Sequence, residues 1–155
     1  MLVEDHLIRL PLSVPWLERV RGLVSAALGT QSIELRAAAE LATAELGVNM
    51  LKFGHPSRGG DSGTISIRMA DGELRVSSVN CASAERFRSV EALIARISSC
   101  SEIELLYVER LSSLLRSPWE SSAGLGLIRL SHAAFALRCA YEEPTLTIVA
   151  ARKSS

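Results

Sequence analysis

Apolar residues recur along this chain with two alternating periods, and the period decides each element. Leu17, Val20, Leu23, Val24 and Leu28 fall three or four residues apart. That spacing predicts a helix, with Ser13 as its cap, Pro15 in its first turn and Gly29 as its terminator. An Ala-rich run predicts a second, longer helix from Ile33 to Phe53, capped by Thr30 or Ser32 and stopped by Gly54. Period two governs other stretches. Leu7 to Leu12 reads as a short edge strand because of Pro11. Ile65, Ile67 and Met69 alternate, Asp71-Gly72 is a strong hairpin turn, and Leu74 to Val79 is the return strand. Helical spacing resumes over Ala82–Ile97 and Glu102–Leu115, the latter capped by Ser101 and ended by Ser117-Pro118. A last helix is expected from Ile128 to Phe135, and a last pair of strands over Ala136–Tyr141 and Leu146–Arg152. The Gly- and Ser-rich stretch 55–63 reads as a flexible loop. This order predicts an α+β two-layer sandwich in one domain over residues 1–155: a mixed, mainly antiparallel sheet with helices on one face.

The long helix holds the pattern most in need of a reason. Glu45, Asn49 and Lys52 stand at i, i+4 and i+7, within roughly 60° of one another on one helix face. Ala38, Leu41 and Val48 are their neighbours there, and Arg36, Glu40, Thr43 and Gly47 make the expected solvent face. Three polar groups in an apolar arc cost roughly 2–7 kcal/mol each if buried without partners. A polar ligand would supply those partners. An Asn carbonyl oxygen can ligate Mg²⁺, a Glu one turn earlier can take a proton from a hydroxyl, and a Lys one turn later can meet a phosphate.

Composition narrows the classes. The chain has 155 residues, 48% hydrophobic and 22% charged, which marks a globular protein with one core. Lys plus Arg and Asp plus Glu both number 17, and this balance argues against nucleic-acid or acidic-membrane binding. Cys81, Cys100 and Cys139 fit no metal spacing and read as idle thiols of a reducing compartment. The start has no basic region of a signal peptide, and the longest apolar run, Thr145 to Ala151, is too short for a bilayer. A cytoplasmic location is the expectation.

Gly124-Leu125-Gly126-Leu127 precedes the last helix. Glycines admit a phosphate close to the backbone, and a helix N-terminus offers free N–H groups. Alone, the motif reads first as a small-residue turn; after the Glu/Asn helix and a hairpin it reads as a phosphate site. Neither the dinucleotide fingerprint nor the P-loop is present. Asn80, at the end of the central strand, can hydrogen-bond a base edge or simply start a turn. His6, His55 and His132 show no ligand spacing, and His132 reads as a partly buried structural residue.

Together, Glu-x-x-x-Asn-x-x-Lys-x-Gly on a long helix, a hairpin, Gly-Leu-Gly-Leu opening a helix and a terminal hairpin resemble the GHKL (histidine-kinase-like) ATPase superfamily. Within it, Leu10-Pro11-Leu12 and the stretch Trp16 to Arg21 look most like the anti-sigma-factor serine kinases. Ser-Ala-Gly-Leu-Gly-Leu-Ile looks closest to SiaB-type switch kinases. The resemblance implies a Bergerat-type ATP-binding fold and an ATP- and Mg²⁺-dependent serine/threonine kinase. Its partner would be a STAS-domain, anti-sigma-antagonist-like protein, and a homodimer is compatible with it. By position, it implies Asn49 as the Mg²⁺ ligand, Glu45 as the general base and Lys52 beside the phosphates. Gly124, Leu125, Gly126 and Leu127 would bind phosphates under a lid spanning Cys81 to Ser122. The family's Asp-x-Gly-x-Gly box is replaced by Val79-Asn80-Cys81-Ala82-Ser83, so Asn80 would stand in at the adenine. The alternative is a non-catalytic protein-binding regulator of the same fold with weak or lost nucleotide binding.

Overall fold

A computed structural model describes residues 4–11, 16–53, 62–116 and 124–154. Five strands and five helices follow in the order β1 (Glu4–Pro11), α1 (Trp16–Ala27), α2 (Ile33–Phe53), β2 (Ser62–Ala70), β3 (Glu73–Cys81), α3 (Ala84–Ser99), α4 (Ile103–Arg116), α5 (Leu125–His132), β4 (Ala136–Glu142) and β5 (Thr145–Lys153). The strands form one sheet in the order β1-β2-β3-β5-β4, and each pairing between them is antiparallel. The expected α+β sandwich is therefore present, with a more uniform sheet than the mixed one anticipated.

Side-chain alternation gives the sheet its two faces. Ile65 and Ile67 on β2, Leu74 and Val76 on β3, and Ile148 and Ala150 on β5 are buried together in the core. They face the helices. Val79 and Arg75, on the opposite side of β3, are exposed. The β2–β3 hairpin closes at Asp71-Gly72, with φ of 52° and 74°. Both values are positive, as the tight two-residue turn of a twisted hairpin requires, and Asp and Gly tolerate them best.

Ser32 caps α2 by accepting a hydrogen bond from the Leu35 N–H at 3.2 Å. Ser83 does the same for α3, accepting from the Arg86 N–H at 3.1 Å, so that helix starts two residues later than expected. The helix α4 begins only at Ile103, which leaves Ser101 outside the capping position. The expected Ser13 cap, the 55–61 part of the loop and the Ser117-Pro118 stop lie outside the described residues.

One expectation about α2 is corrected. Thr43 and Gly47, placed on a solvent face, are buried, and Arg36 buries its Nε. The buried stripe runs through Leu35, Ala39, Ala42, Leu46 and Met50. Glu45 and Asn49 flank this stripe and are half-buried. The physical reason is the helix's surroundings. It packs against α1, α5 and the sheet strands β2 and β3. With neighbours on several sides, its small apolar residues are spread almost evenly around the axis, and hydrophobicity alone does not reveal the inward face. Thr43 needs no outside partner: its Oγ1–H donates to the Ala39 carbonyl at 2.7 Å.

Candidate active site

The middle of α2 and the start of α5 meet at one point. Gly124 occupies the N-cap of α5 with φ of 92°, a left-handed conformation that suits glycine. The helix begins at Leu125, three residues before the expected start. Gly126 and Leu127 therefore belong to its first turn and are not part of a preceding loop. The side chains of Leu125 and Leu127 are buried, Leu127 within the main core, so only the backbone of this motif can face a ligand. A side chain at Gly124 would run into Leu93 of α3, 2.6 Å from the nearest methyl.

Gly126 has a more specific role. A Cβ built there would lie closer to the Glu45 carboxylate than real Cβ atoms approach. The absence of a side chain lets Glu45 lie against the α5 backbone. Its Oε1 accepts a hydrogen bond from the Arg129 guanidinium at 3.0 Å. The Glu45 side chain is only 16% exposed, against 43% for Arg129, so the carboxylate is the more enclosed end of the pair. Arg129 also donates from Nε to the Tyr107 hydroxyl on α4, at 3.4 Å. The Tyr107 hydrogen bond, then the Glu45 hydrogen bond, hold the Arg129 guanidinium above its ordinary value, against partial desolvation. Glu45, Arg129 and Tyr107 thus link α2, α5 and α4 into one polar chain.

Asn49 stands one turn beyond Glu45, half-buried, and forms no side-chain hydrogen bond within the described residues. Asn80 lies on the helix-facing side of β3 and is 8% exposed, with its amide N–H donating to the Cys81 carbonyl at 3.2 Å. The strand that bears it packs against α2. Lys52 belongs to α2 by its backbone, and its side chain lies outside the described residues. The expected lid is helical, as α3 and α4, up to Arg116; its remainder, 117–122, is not described. His132 is exposed, not partly buried, and its Nε2 lies 3.3 Å from Glu104 Oε1. Cys81, Cys100 and Cys139 are free thiols.

Mg²⁺ is the metal that the resemblance implies, and Asn49 carries the kind of oxygen it accepts. No cluster of three or more His, Cys, Asp or Glu side chains exists among the described residues. Mg²⁺ does not require one, because it keeps several waters and takes few protein oxygens when phosphates supply the rest. The Asn49 side-chain oxygen, one turn from Glu45 on α2, is such a donor.

Arg129 was not singled out by sequence reasoning. It is the sole polar side chain between Leu125 and Leu130, and that isolation is the signal that could have found it. Its partner is 84 positions away, beyond any local pattern.

No family model matches the chain, and no curated protein does. Among solved structures it is similar to a chain of the SiaB-SiaC complex from Pseudomonas aeruginosa, with 16% identity and a TM-score of 0.75. The match covers 94% of this chain and 88% of that one. The fold is SiaB-like. At this identity the likeness speaks for architecture alone. No described helix is long and apolar enough to cross a membrane.

The contact at Gly126 makes a first prediction. Gly126→Ala will force the Glu45 carboxylate off Arg129 or push α5 away from α2, and overpacking of this kind costs about 1–3 kcal/mol. Thermal unfolding will show the loss. Combining it with Glu45→Ala will recover most of that loss, because the crowded carboxylate is gone; additive effects in the double variant would show that the crowding lies elsewhere.

Proposed function

We propose that this chain is an ATP-dependent serine/threonine protein kinase of the anti-sigma-factor or switch-kinase type, cytoplasmic, acting on a hydroxyl of a small STAS-like regulatory protein. The observation that carries the reading is the placement of Glu45. A carboxylate and an amide stand one turn apart on a helix flank, and the carboxylate is held by Arg129 against a glycine in the first turn of another helix. In this reading Glu45 accepts the proton of the attacking hydroxyl. Arg129 fixes the direction of the carboxylate through Oε1, and Oε2 lies against Gly126. Asn49 contributes its amide oxygen to Mg²⁺, which would neutralise developing phosphate charge when bound. The N–H groups at the start of α5 face the phosphates, and Asn80, with both donor and acceptor, meets the base edge. Transfer would then be mainly a matter of positioning. The likeness to a chain crystallised in a complex with another protein supports a protein partner. A phosphate added to that partner would bring charge able to switch its binding.

A second reading keeps the fold and the protein partner without catalysis. What favours it is Asn80-Cys81 standing where the family has an acidic, glycine-rich box.

Calorimetry separates them. With Mg²⁺ present, the protein will bind ATP, and Asn49→Ala will weaken binding by about tenfold or more. With the metal chelated, the two proteins will bind alike. No heat at millimolar nucleotide overturns the kinase reading. Unchanged Mg²⁺-dependent binding by Asn49→Ala overturns the metal assignment alone.

A further inference from the structure

A cleft of about 280 Å³ opens between α3, α4 and the start of α5. Leu93, Leu106 and Ile128, one from each helix, form its apolar part, and Gly124 borders it. The rest is polar. Arg96 comes from α3, and Glu109, Arg110, Ser113 and Arg116 come from α4. With Leu106, these α4 residues stand at i, i+3, i+4, i+7 and i+10, on one helix face about 120° wide. A helix that only packs on its neighbours turns an apolar face to them. Here α4 turns two arginines and a serine into the cleft, while Leu105, Val108 and Leu115 are exposed. Packing does not account for that inversion.

The charges say what fits the cleft. Three guanidinium groups line it against one carboxylate, a local excess of two positive charges in a chain whose net charge is zero. Glu109 meets Arg96 only through Nη2, at 3.3 Å to each carboxylate oxygen. Arg110 is half-buried, and both it and Ser113 already hold an interaction within the chain. A guanidinium has five N–H donors, so one such contact does not exhaust it. Like charges gathered in a partly enclosed cleft repel, and a shared anion turns that repulsion into attraction. Planar guanidinium forks match phosphoryl oxygens in particular. Arg110 and Arg116 are six residues apart, about 9 Å along the helix axis, and Arg96 faces them from another helix. One phosphoryl group is short for that span, and two reach further. The cleft is also separate from the candidate active site. Neither Glu45 nor Asn49 lines it. Gly126, which meets Glu45, stands about 160° around α5 from Ile128, which meets the cleft.

We propose that the cleft between α3, α4 and α5 binds a small anion carrying two phosphoryl groups, held by Arg96, Arg110 and Arg116 at a site apart from that of the nucleotide. Its volume lies just under the range of about 300–1,000 Å³ that houses drug-sized ligands, which suits a compact diphosphate and not a nucleoside triphosphate. The site does not depend on phosphoryl transfer by Glu45.

Titration of the labelled protein with inorganic pyrophosphate, followed by amide NMR at low salt without metal or nucleotide, tests this. The wild type will show saturable shifts centred on Arg96, Ser113, Arg116 and Gly124, with Asn49 and Asn80 little moved. Arg110→Gln with Arg116→Gln will weaken binding by about tenfold or more, since each removes charge-assisted hydrogen bonds. Arg116→Gln alone, at an exposed position, will weaken it in the same direction, and the spectra show directly that each variant is folded. Arg68→Gln with Arg75→Gln removes the same charge from exposed positions on β2 and β3 and will leave binding unchanged. Four results overturn the proposal. These are no saturable shift, shifts centred on Asn49 and Asn80, an affinity untouched by the α4 substitutions, and an equal loss in the β2–β3 control.

Discussion

Glu45→Gln will stop phosphoryl transfer while the protein still folds and still binds nucleotide. Gln keeps the length and shape of Glu, and its amide oxygen can still accept the Arg129 hydrogen bond seen at 3.0 Å. What it cannot do is take a proton. Loss of a positioned general base costs about 10²–10⁴-fold in turnover. Stability will change little. The ion pair is open to solvent at its Arg129 end, and such pairs contribute about 0–1 kcal/mol. Rapid-quench transfer of labelled γ-phosphate to a STAS-domain partner, beside ATP calorimetry, reads both quantities. A variant that transfers at the wild-type rate would remove Glu45 from the mechanism. A variant that loses ATP binding would instead make the carboxylate part of the binding surface.

Arg129→Met extends this test to the residue that aims the base. Its role is positioning, so turnover should fall less than in Glu45→Gln while nucleotide affinity holds. Lysine at 129 can restore the charge but not the two-directional reach of a guanidinium to both Glu45 and Tyr107, so rescue should be incomplete.

How far the chain could be read in advance follows from how local each cause is. The β2–β3 hairpin was legible because Asp71-Gly72 and the alternation of Ile65 and Ile67 act within a few residues. The extent of α2, Ile33 to Phe53, was legible for the same reason: a run of helix formers after Ser32. Its orientation was not. Which side of an evenly apolar helix faces inward is decided by α1, α5 and the sheet together, and α5 lies some seventy positions further along the chain. The site shows the same division. Glu45 and Asn49 were visible from their one-turn spacing. The start of α5 was misjudged by three residues, because glycine spacing suggested a loop where Leu125 and Leu127 already bury their side chains in helical geometry. Arg129 belongs to the site only through a contact made in three dimensions.

The orientation of α2 can be tested by stability alone. Leu46 follows Glu45 directly and is 0% exposed within the main core. Val48, two residues on, shares the wheel sector first taken as inward, yet it is half-buried and is not among the core residues. Leu46→Ala will therefore leave a cavity under the centre of α2 and cost about 2–5 kcal/mol. For a chain of this size each kcal/mol lowers the melting temperature by about 2–4 °C, so the fall will be on the order of 10 °C. Val48→Ala should cost about 1 kcal/mol or less, because its methyls are already partly in water. Thermal and denaturant unfolding of the two variants side by side decide the matter. A larger loss at Val48 than at Leu46 would turn the helix about its axis, and would carry Glu45 away from Gly126. Equal stability in Leu46→Ala and wild type would mean that α2 is not anchored on the sheet at all. The catalytic reading depends on this anchoring. Glu45 reaches Arg129 and Gly126 from the flank of the stripe that Leu46 pins to the sheet, so a cavity that lets α2 settle should lower transfer as well as the melting temperature. Methionine at 46, close to leucine in volume, should preserve both.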